Sequence, residues 1–400
     1  MANTLKFGNG EWYGKKDTIL AYNDLNSNYK PLPFNFSRAS KATVVNKDGL
    51  IEEVGSGQPR IDYKDDSKGA LLLEPSRSNN LLQSNQFDTT WLKSSGVTIT
   101  SEQTISPEGI NNGWKFEKTA ASYKSIGQNY TSSSETTFSI FAKKGTLSVI
   151  TLLANINSGT NLYQRFDLEN GIVSTGSGMS SSNIEEYGNG WYRCSSTFTN
   201  TNVQRLDCFL DFAENEAGFI YIYGAQAEVG SYATSAIFTS GSAVTRLADT
   251  CSQTVPDGVI GQTEGVLYAE LGSIPSEAID DVFVELSDGT SNNRILFYAD
   301  SNGYIRNQIK ASGSISSLIN TNVTVSSNMK IAITYKSNEA KVFINGVQYG
   351  GTDTSVVVPS VNKMNLESYT GTRGETSTLK DVKLYNTALT DQELIALTQV

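Results

Sequence analysis

The sequence predicts an all-β protein: an irregular N-terminal anchoring segment, then two consecutive jelly-roll β-sandwich domains, closed by a short C-terminal helix. Three observations lead there. The chain has 400 residues, more than one compact core usually holds at about 100–200 residues per domain. Its polar residues are mostly Ser, Thr, Asn and Gly, with 34 Gly and only 8 Pro, which suits many strands joined by tight turns. Turn pairs recur between β-type runs at Asn9-Gly10, Asp48-Gly49, Asn170-Gly171, Asn189-Gly190, Asn302-Gly303 and Asn345-Gly346. Such pairs tolerate the positive φ angles of a type I′ hairpin turn, whose twist matches the flanking strands.

Residues 1–78 carry short strands, the Pro31-Leu32-Pro33 break and a charged stretch around Lys64-Asp65-Asp66. This is too irregular for a large core of its own, and it reads as an attachment or docking segment. Residues 79–250 hold Trp91, Trp114 and Trp191 among alternating runs such as Thr137-Phe138-Ser139-Ile140-Phe141. Alternation is the period of a half-buried strand, and there are enough such runs for one sandwich, with Ser174 to Ser182 as a loop within it. Residues 251–400 repeat the pattern, from Val266-Leu267-Tyr268 to a last strand over Leu379 to Tyr385, as in a second two-sheet jelly roll. The helix follows: Thr390 and Glu393 are spaced for a capping box, and Leu389 and Leu394 for a hydrophobic staple.

Composition removes much chemistry. With 31 Lys and Arg against 41 Asp and Glu the net charge is −10, so the chain as a whole repels nucleic acid and anionic membrane surfaces. It has no histidine, which excludes histidine general bases, Ser-His-Asp and Cys-His nucleophiles and His-ligated metals. Three cysteines, Cys194, Cys208 and Cys251, make at most one disulfide and no all-cysteine zinc site. The N-terminal MANTLKFGNGEWYG lacks the pattern of a secretory signal. The longest apolar run, Leu147 to Ile156, falls short of the roughly 20 residues of a membrane helix. The expectation is a soluble protein, not exported by the usual route and not inserted in a membrane.

Three stretches carry a resemblance. Phe36 to Tyr63 (FSRASKATVVNKDGLIEEVGSGQPRIDY) and Leu71 to Trp91 (LLLEPSRSNNLLQSNQFDTTW) together resemble a recurrent signature of tailed-bacteriophage virion proteins. Tyr223 to Asp249 (YGAQAEVGSYATSAIFTSGSAVTRLAD) is similar to the end of the carbohydrate-binding-module-like sandwich that follows it in those proteins. Gly265 to Thr398, with VFINGVQY and KLYNTALTDQELIAL, resembles laminin-G or concanavalin-A-like lectin domains. The resemblance implies a head or tail fibre or similar appendage, assembled in the host cytoplasm and released by lysis. It would dock on other virion proteins through residues 1–78, form a homotrimer and contact host-surface or environmental glycans. Deleting residues 1–78 is then expected to leave folded β-domains.

Sugar binding uses aromatic rings that stack on pyranose faces beside amides and carboxylates that bond the hydroxyls. Trp114, Tyr123 and Tyr130, around strand ends and loops of the middle domain, are the candidate platform, set against the alternative that they fill the core. Trp191-Tyr192 reads as core. Asp288, Asn292 and Asn293 offer loop oxygens to a calcium ion but too few for a hard cation, and Asp257-Gly258 is no stronger, so no metal or cofactor is assigned. Glycoside hydrolysis needs two carboxylates about 5–10 Å apart. Glu185-Glu186 and Asp280-Asp281 are sequence neighbours that point to opposite faces of a strand, and neither an E-x-D-x-E strand nor β-helix rungs are present. Cys194 and Cys208 read as free buried thiols on neighbouring strands. Arg38, Arg60 and Arg77 lie in the first signature, where the alternatives are pairing with acidic residues of the same segment or of a partner subunit, and a surface-exposed structural role. The chain reads as a binder, not an enzyme. Carboxylates converging from distant strands would make it a glycan depolymerase, and sandwiches that bind only other virion proteins would make it an architectural subunit.

Overall fold

The computed structural model describes residues 3–23, 30–120, 122–132, 134–157, 159–210, 216–275, 282–366 and 377–400. Nearly all regular structure is β, with one short helix, Asp391–Thr398, at the C-terminus. No described helix is long and apolar enough to cross a membrane. Backbone contacts divide the chain into two units: residues 1–47, 54–76 and 247–400, and residues 48–53 and 77–246.

This division differs from the three-part organisation read from the sequence. The boundaries near 78 and 250 fall within a few residues of the observed ones, but the N-terminal strands belong to the C-terminal sandwich. Leu5–Gly8 lies antiparallel to Ser377–Tyr385, with Leu5 opposite Leu384. Lys30–Ser37 pairs with Thr250–Thr254, and Ala70–Leu73 with Ser377–Tyr385. The physical reason is apolar area. Leu5, Phe7, Ile19, Phe34, Phe36, Leu71 and Leu73 are too few for a separate core, yet they join Leu267, Phe283, Phe297, Ile333 and Leu384 in one cluster. Burial of each such side chain contributes about 1.5–3 kcal/mol.

The first unit is a wrapped ladder. One layer runs Val347–Asp353, Glu339–Ile344, Lys330–Lys336, Glu264–Leu271, Ser377–Tyr385 and Leu5–Gly8. A short pairing of Leu5–Gly8 with Thr18–Asn23 leads into the other, which continues through Lys30–Ser37, Thr250–Thr254, Lys363–Asn365, Val282–Ser287, Arg294–Ala299, Tyr304–Ala311 and Ser314–Thr324. The helix begins at the expected capping box, the Thr390 side chain accepting from the Glu393 backbone and Glu393 reaching back to Thr390. Its Leu394, with Leu389, packs on Val266, Tyr268, Ala332 and Phe343.

The second unit is a sandwich of two six-stranded antiparallel sheets, closed at its chain ends by Arg77–Asn79 paired with Val244–Arg246. The alternation over Thr137 to Phe141 suggests a half-buried strand, but the first seven residues of Thr136–Lys144 are all buried, because Arg193 and the Thr234 segment cover its second face. The composition of Ser174 to Ser182 suggests a loop. The segment falls largely on two edge strands, Ile172–Ser177 and Ser181–Glu186, since Ser and Thr at a solvated edge still complete the backbone ladder. Three of the six turn pairs take positive φ at both residues: Asn9-Gly10, Asn189-Gly190 and Asn345-Gly346.

One ionic network ties the N-terminal segment into the first unit. Arg38 Nη1 donates to Asp249 Oδ1 at 2.9 Å, and Arg60 Nη1 to Glu74 Oε2 at 2.5 Å. The second Arg60 nitrogen donates to Asp249 Oδ2. All four side chains are at most 2% exposed. The guanidinium groups also donate to the carbonyls of Ser40, Thr43, Gly55 and Gln58, and Asp249 Oδ2 accepts from the Glu74 backbone. Burial pulls the Arg60 pKa down, but Asp249 and Glu74 more than offset it, and the net shift is upward.

Two outcomes follow from this packing. Truncation of residues 1–78 should remove the cooperative thermal transition of the first unit and leave that of the second, reversing the expectation from sequence. A truncated chain that melts like the intact one would refute this. Arg60→Met should lower stability by about 3–5 kcal/mol, because the buried network is left with two carboxylates, Asp249 and Glu74, and only the Arg38 guanidinium to answer them. The shift of the urea midpoint measures it.

Candidate functional site

The three aromatic residues chosen from sequence do not converge. Trp114 lies on Gly113–Lys118 and is 8% exposed; its indole N–H donates to the Asn85 carbonyl at 2.8 Å, and Phe87 meets its ring edge-on. Tyr130 is 7% exposed and its hydroxyl contacts Thr136; burial pushes its pKa up, partly offset by that contact. Rings this enclosed offer no face to a pyranose, so both belong to the core of the second unit. Tyr123 alone is open, at 64% exposure. It adjoins Lys124–Asn129, which belongs to the sheet opposite the one carrying Trp114. Trp191 is fully buried.

The candidate acids are also accounted for. Asp280 and Asp281 lie outside the described residues. Glu185 and Glu186 sit on the edge strand Ser181–Glu186, opposite Arg193 and Tyr192. Among the described residues no three acidic or cysteine side chains gather as a metal site. A pair that the sequence did not reveal is Glu270 and Asp381, which stand opposite each other on Glu264–Leu271 and Ser377–Tyr385. Burial, with Glu270 contributing, raises the Asp381 pKa against the opposing pull of Lys383. Asp381 is only 4% exposed and ion-paired to Lys383, so a polymer in solution does not reach it.

The site that the structure does build is a hollow of about 390 Å³ in the first unit. It lies between the stretch from Val255 to Gln262, the turn at Asp288, and Ser360 to Asn362. Two residues weighed separately as weak calcium ligands, Asp257 and Asp288, therefore line one cavity. Val255, Ile260 and Val361 supply apolar wall and are buried, whereas Asp257, Gln262, Asp288, Ser360 and Asn362 supply polar groups and are exposed.

Backbone and side-chain bonds hold the walls. The Val255 N–H donates to the Asn362 carbonyl, and the Asn362 N–H to the Ser287 carbonyl. Gln262 braces two walls: its amide nitrogen donates to the Ile260 and Val361 carbonyls, and its oxygen accepts from Ser360 and the Val361 backbone. Asp288 Oδ1 accepts from the Thr290 backbone and hydroxyl, and Oδ2 from the Asn293 amide. The side chains of Asp257 and Asn362 have no hydrogen-bond partner among the described residues. A rigid apolar wall with a few converging polar groups is the ordinary make-up of a small-molecule site.

Residues 273–395 match the family model described as the concanavalin A-like lectin/glucanases superfamily. No curated protein matches the sequence. Among solved structures, the chain is similar to the CBM40 of the Ruminococcus gnavus IT-sialidase (17% identity, TM-score 0.29, covering 34% of this chain and 84% of that one). It is also similar to domain 4 of AbnA, a GH43 extracellular arabinanase from Geobacillus stearothermophilus, in complex with arabinotriose (15%, 0.29, 43% and 84%). A third is Trypanosoma rangeli sialidase (10%, 0.30, 95% and 81%). Likenesses this distant leave the chemistry of the hollow to its own residues.

All three cysteines are free and buried. Cys194 and Cys208 lie on strands of opposite sheets, not on neighbouring strands, and burial pushes both thiols well above their ordinary pKa. Native protein should leave a thiol-reactive dye unconsumed, and denatured protein should take up three equivalents. Rapid labelling before denaturation would contradict the burial.

Proposed function

We propose that this chain is a glycan-binding protein and a structural component of a bacteriophage virion, an appendage that attaches to host-surface or environmental glycans. The observation that carries the glycan reading is the hollow. It joins an apolar wall to carboxylate, amide and hydroxyl groups, on the unit whose residues 273–395 match the concanavalin A-like superfamily.

The virion reading is supported by the phage-type signatures over Phe36 to Tyr63, Leu71 to Trp91 and Tyr223 to Asp249. In it, the chain reaches the particle by assembly in the host cytoplasm, docks on other virion proteins and presents its sites as a homotrimer. A polar, hydrated sugar offers little apolar area to bury, so single sites bind weakly and several copies together supply useful attachment.

The function proposed is retention without turnover. Intact protein passed over host capsular or surface polysaccharide should be retained, with no new reducing ends in the eluate. Oligosaccharide release that is lost when one carboxylate is replaced by its amide would replace this reading with a depolymerase. Absence of both retention and release would leave an architectural subunit.

A further inference from the structure

We infer that the hollow selects sugars that present hydrogen-bond donors, neutral hydroxyls or an ammonium group, and rejects sugars that carry an acid group. This rests on the glycan reading above and names the class of ligand. Asp257 and Asp288 are both carboxylates, and no Lys or Arg is among the residues that line the cavity. Ionised carboxylates only accept hydrogen bonds, so a partner must donate.

The acceptor capacity can be located. Asp288 accepts three bonds, from the Thr290 backbone and hydroxyl and the Asn293 amide, of the roughly four that a carboxylate can take, so it acts in the hollow chiefly through its charge. Burial is the largest single influence and raises the Asp288 pKa, but the hydrogen bonds together outweigh it and hold the pKa below its ordinary value, so it stays ionised through the neutral range. Asp257 makes no bond inside the described protein and keeps its full capacity. The Gln262 amide is spent on the walls, and Asn362 remains as the side-chain amide free to donate to a sugar oxygen. A hydroxyl-bearing ring with one acceptor toward Asn362 matches this set. A sialic acid or uronate carboxylate meets two like charges with no cation to answer them, in a chain of net charge −10.

The test uses the intact protein on immobilised neutral, glucosamine-containing and sialylated or uronate-containing oligosaccharides at low and high salt. Neutral and amino sugars should be retained at least about tenfold more strongly than acidic counterparts, with the gap narrowing as salt screens the carboxylates. Asp257 has no internal partner, so Asp257→Asn should fold normally and shrink the discrimination, and Asp257→Lys should reverse it toward acidic sugars. Stronger retention of acidic sugars by the wild type, or discrimination unchanged in both variants, overturns this inference while leaving glycan binding intact. Retention of no glycan class overturns the glycan reading, and the inference falls with it.

Discussion

The arrangement of the first unit depends on four buried charges. Arg38, Arg60 and Glu74 come from the N-terminal stretch and Asp249 from the point where the chain returns after the second unit. A buried ionic network of this sort adds little net stability compared with well-packed apolar residues of equal volume. Its force is conditional: any one group without the others is an uncompensated charge in a dry interior. The fold is therefore held to the one chain path that brings residues 38, 60, 74 and 249 together, and the strands on either side are placed with it. The stretches Phe36 to Tyr63, Leu71 to Trp91 and Tyr223 to Asp249 meet here through Arg38, Arg60, Glu74 and Asp249, which gives these arginines and acids a role inside the fold.

What the sequence made legible was local. The Thr390 and Glu393 cap, the Asn345-Gly346 hairpin and the strand character of both sandwiches depend on residues a few positions apart, and each appears where its local chemistry places it. What it hid was pairing at long range. Nothing around Leu5 announces Leu384 as its neighbour, because a strand's apolar pattern states that a face is buried and not against what. Trp114 and Tyr130 show the same limit for the site, since a ring's exposure is decided by strands distant in sequence. Asp257 and Asp288 were visible as loop acids, yet only the ladder through Thr250–Thr254, Lys363–Asn365 and Val282–Ser287 puts them around one hollow.

The hollow owes its form to that same ladder. Gln262 fastens the stretch after Val255 to the Ser360 stretch, and the Asn362 backbone fastens the latter to Ser287. The walls are set before any ligand arrives, so little ordering opposes binding. Rigid walls around two carboxylates convert a weak site into a selective one.

The pairing of Leu5 with Leu384 also imposes a timetable on synthesis. Residues 77–246 hold all the strands of the second unit's two sheets and can fold as soon as they leave the ribosome. The first strand must wait until its neighbour near the far end of the chain exists, roughly 20–80 s later at ~5–20 residues per second. Throughout that interval Leu5, Phe7, Phe34 and Phe36 have no finished core to enter. During synthesis a chain of this architecture carries an open apolar segment for as long as Ser377–Tyr385 is missing, and that interval is when premature association threatens it.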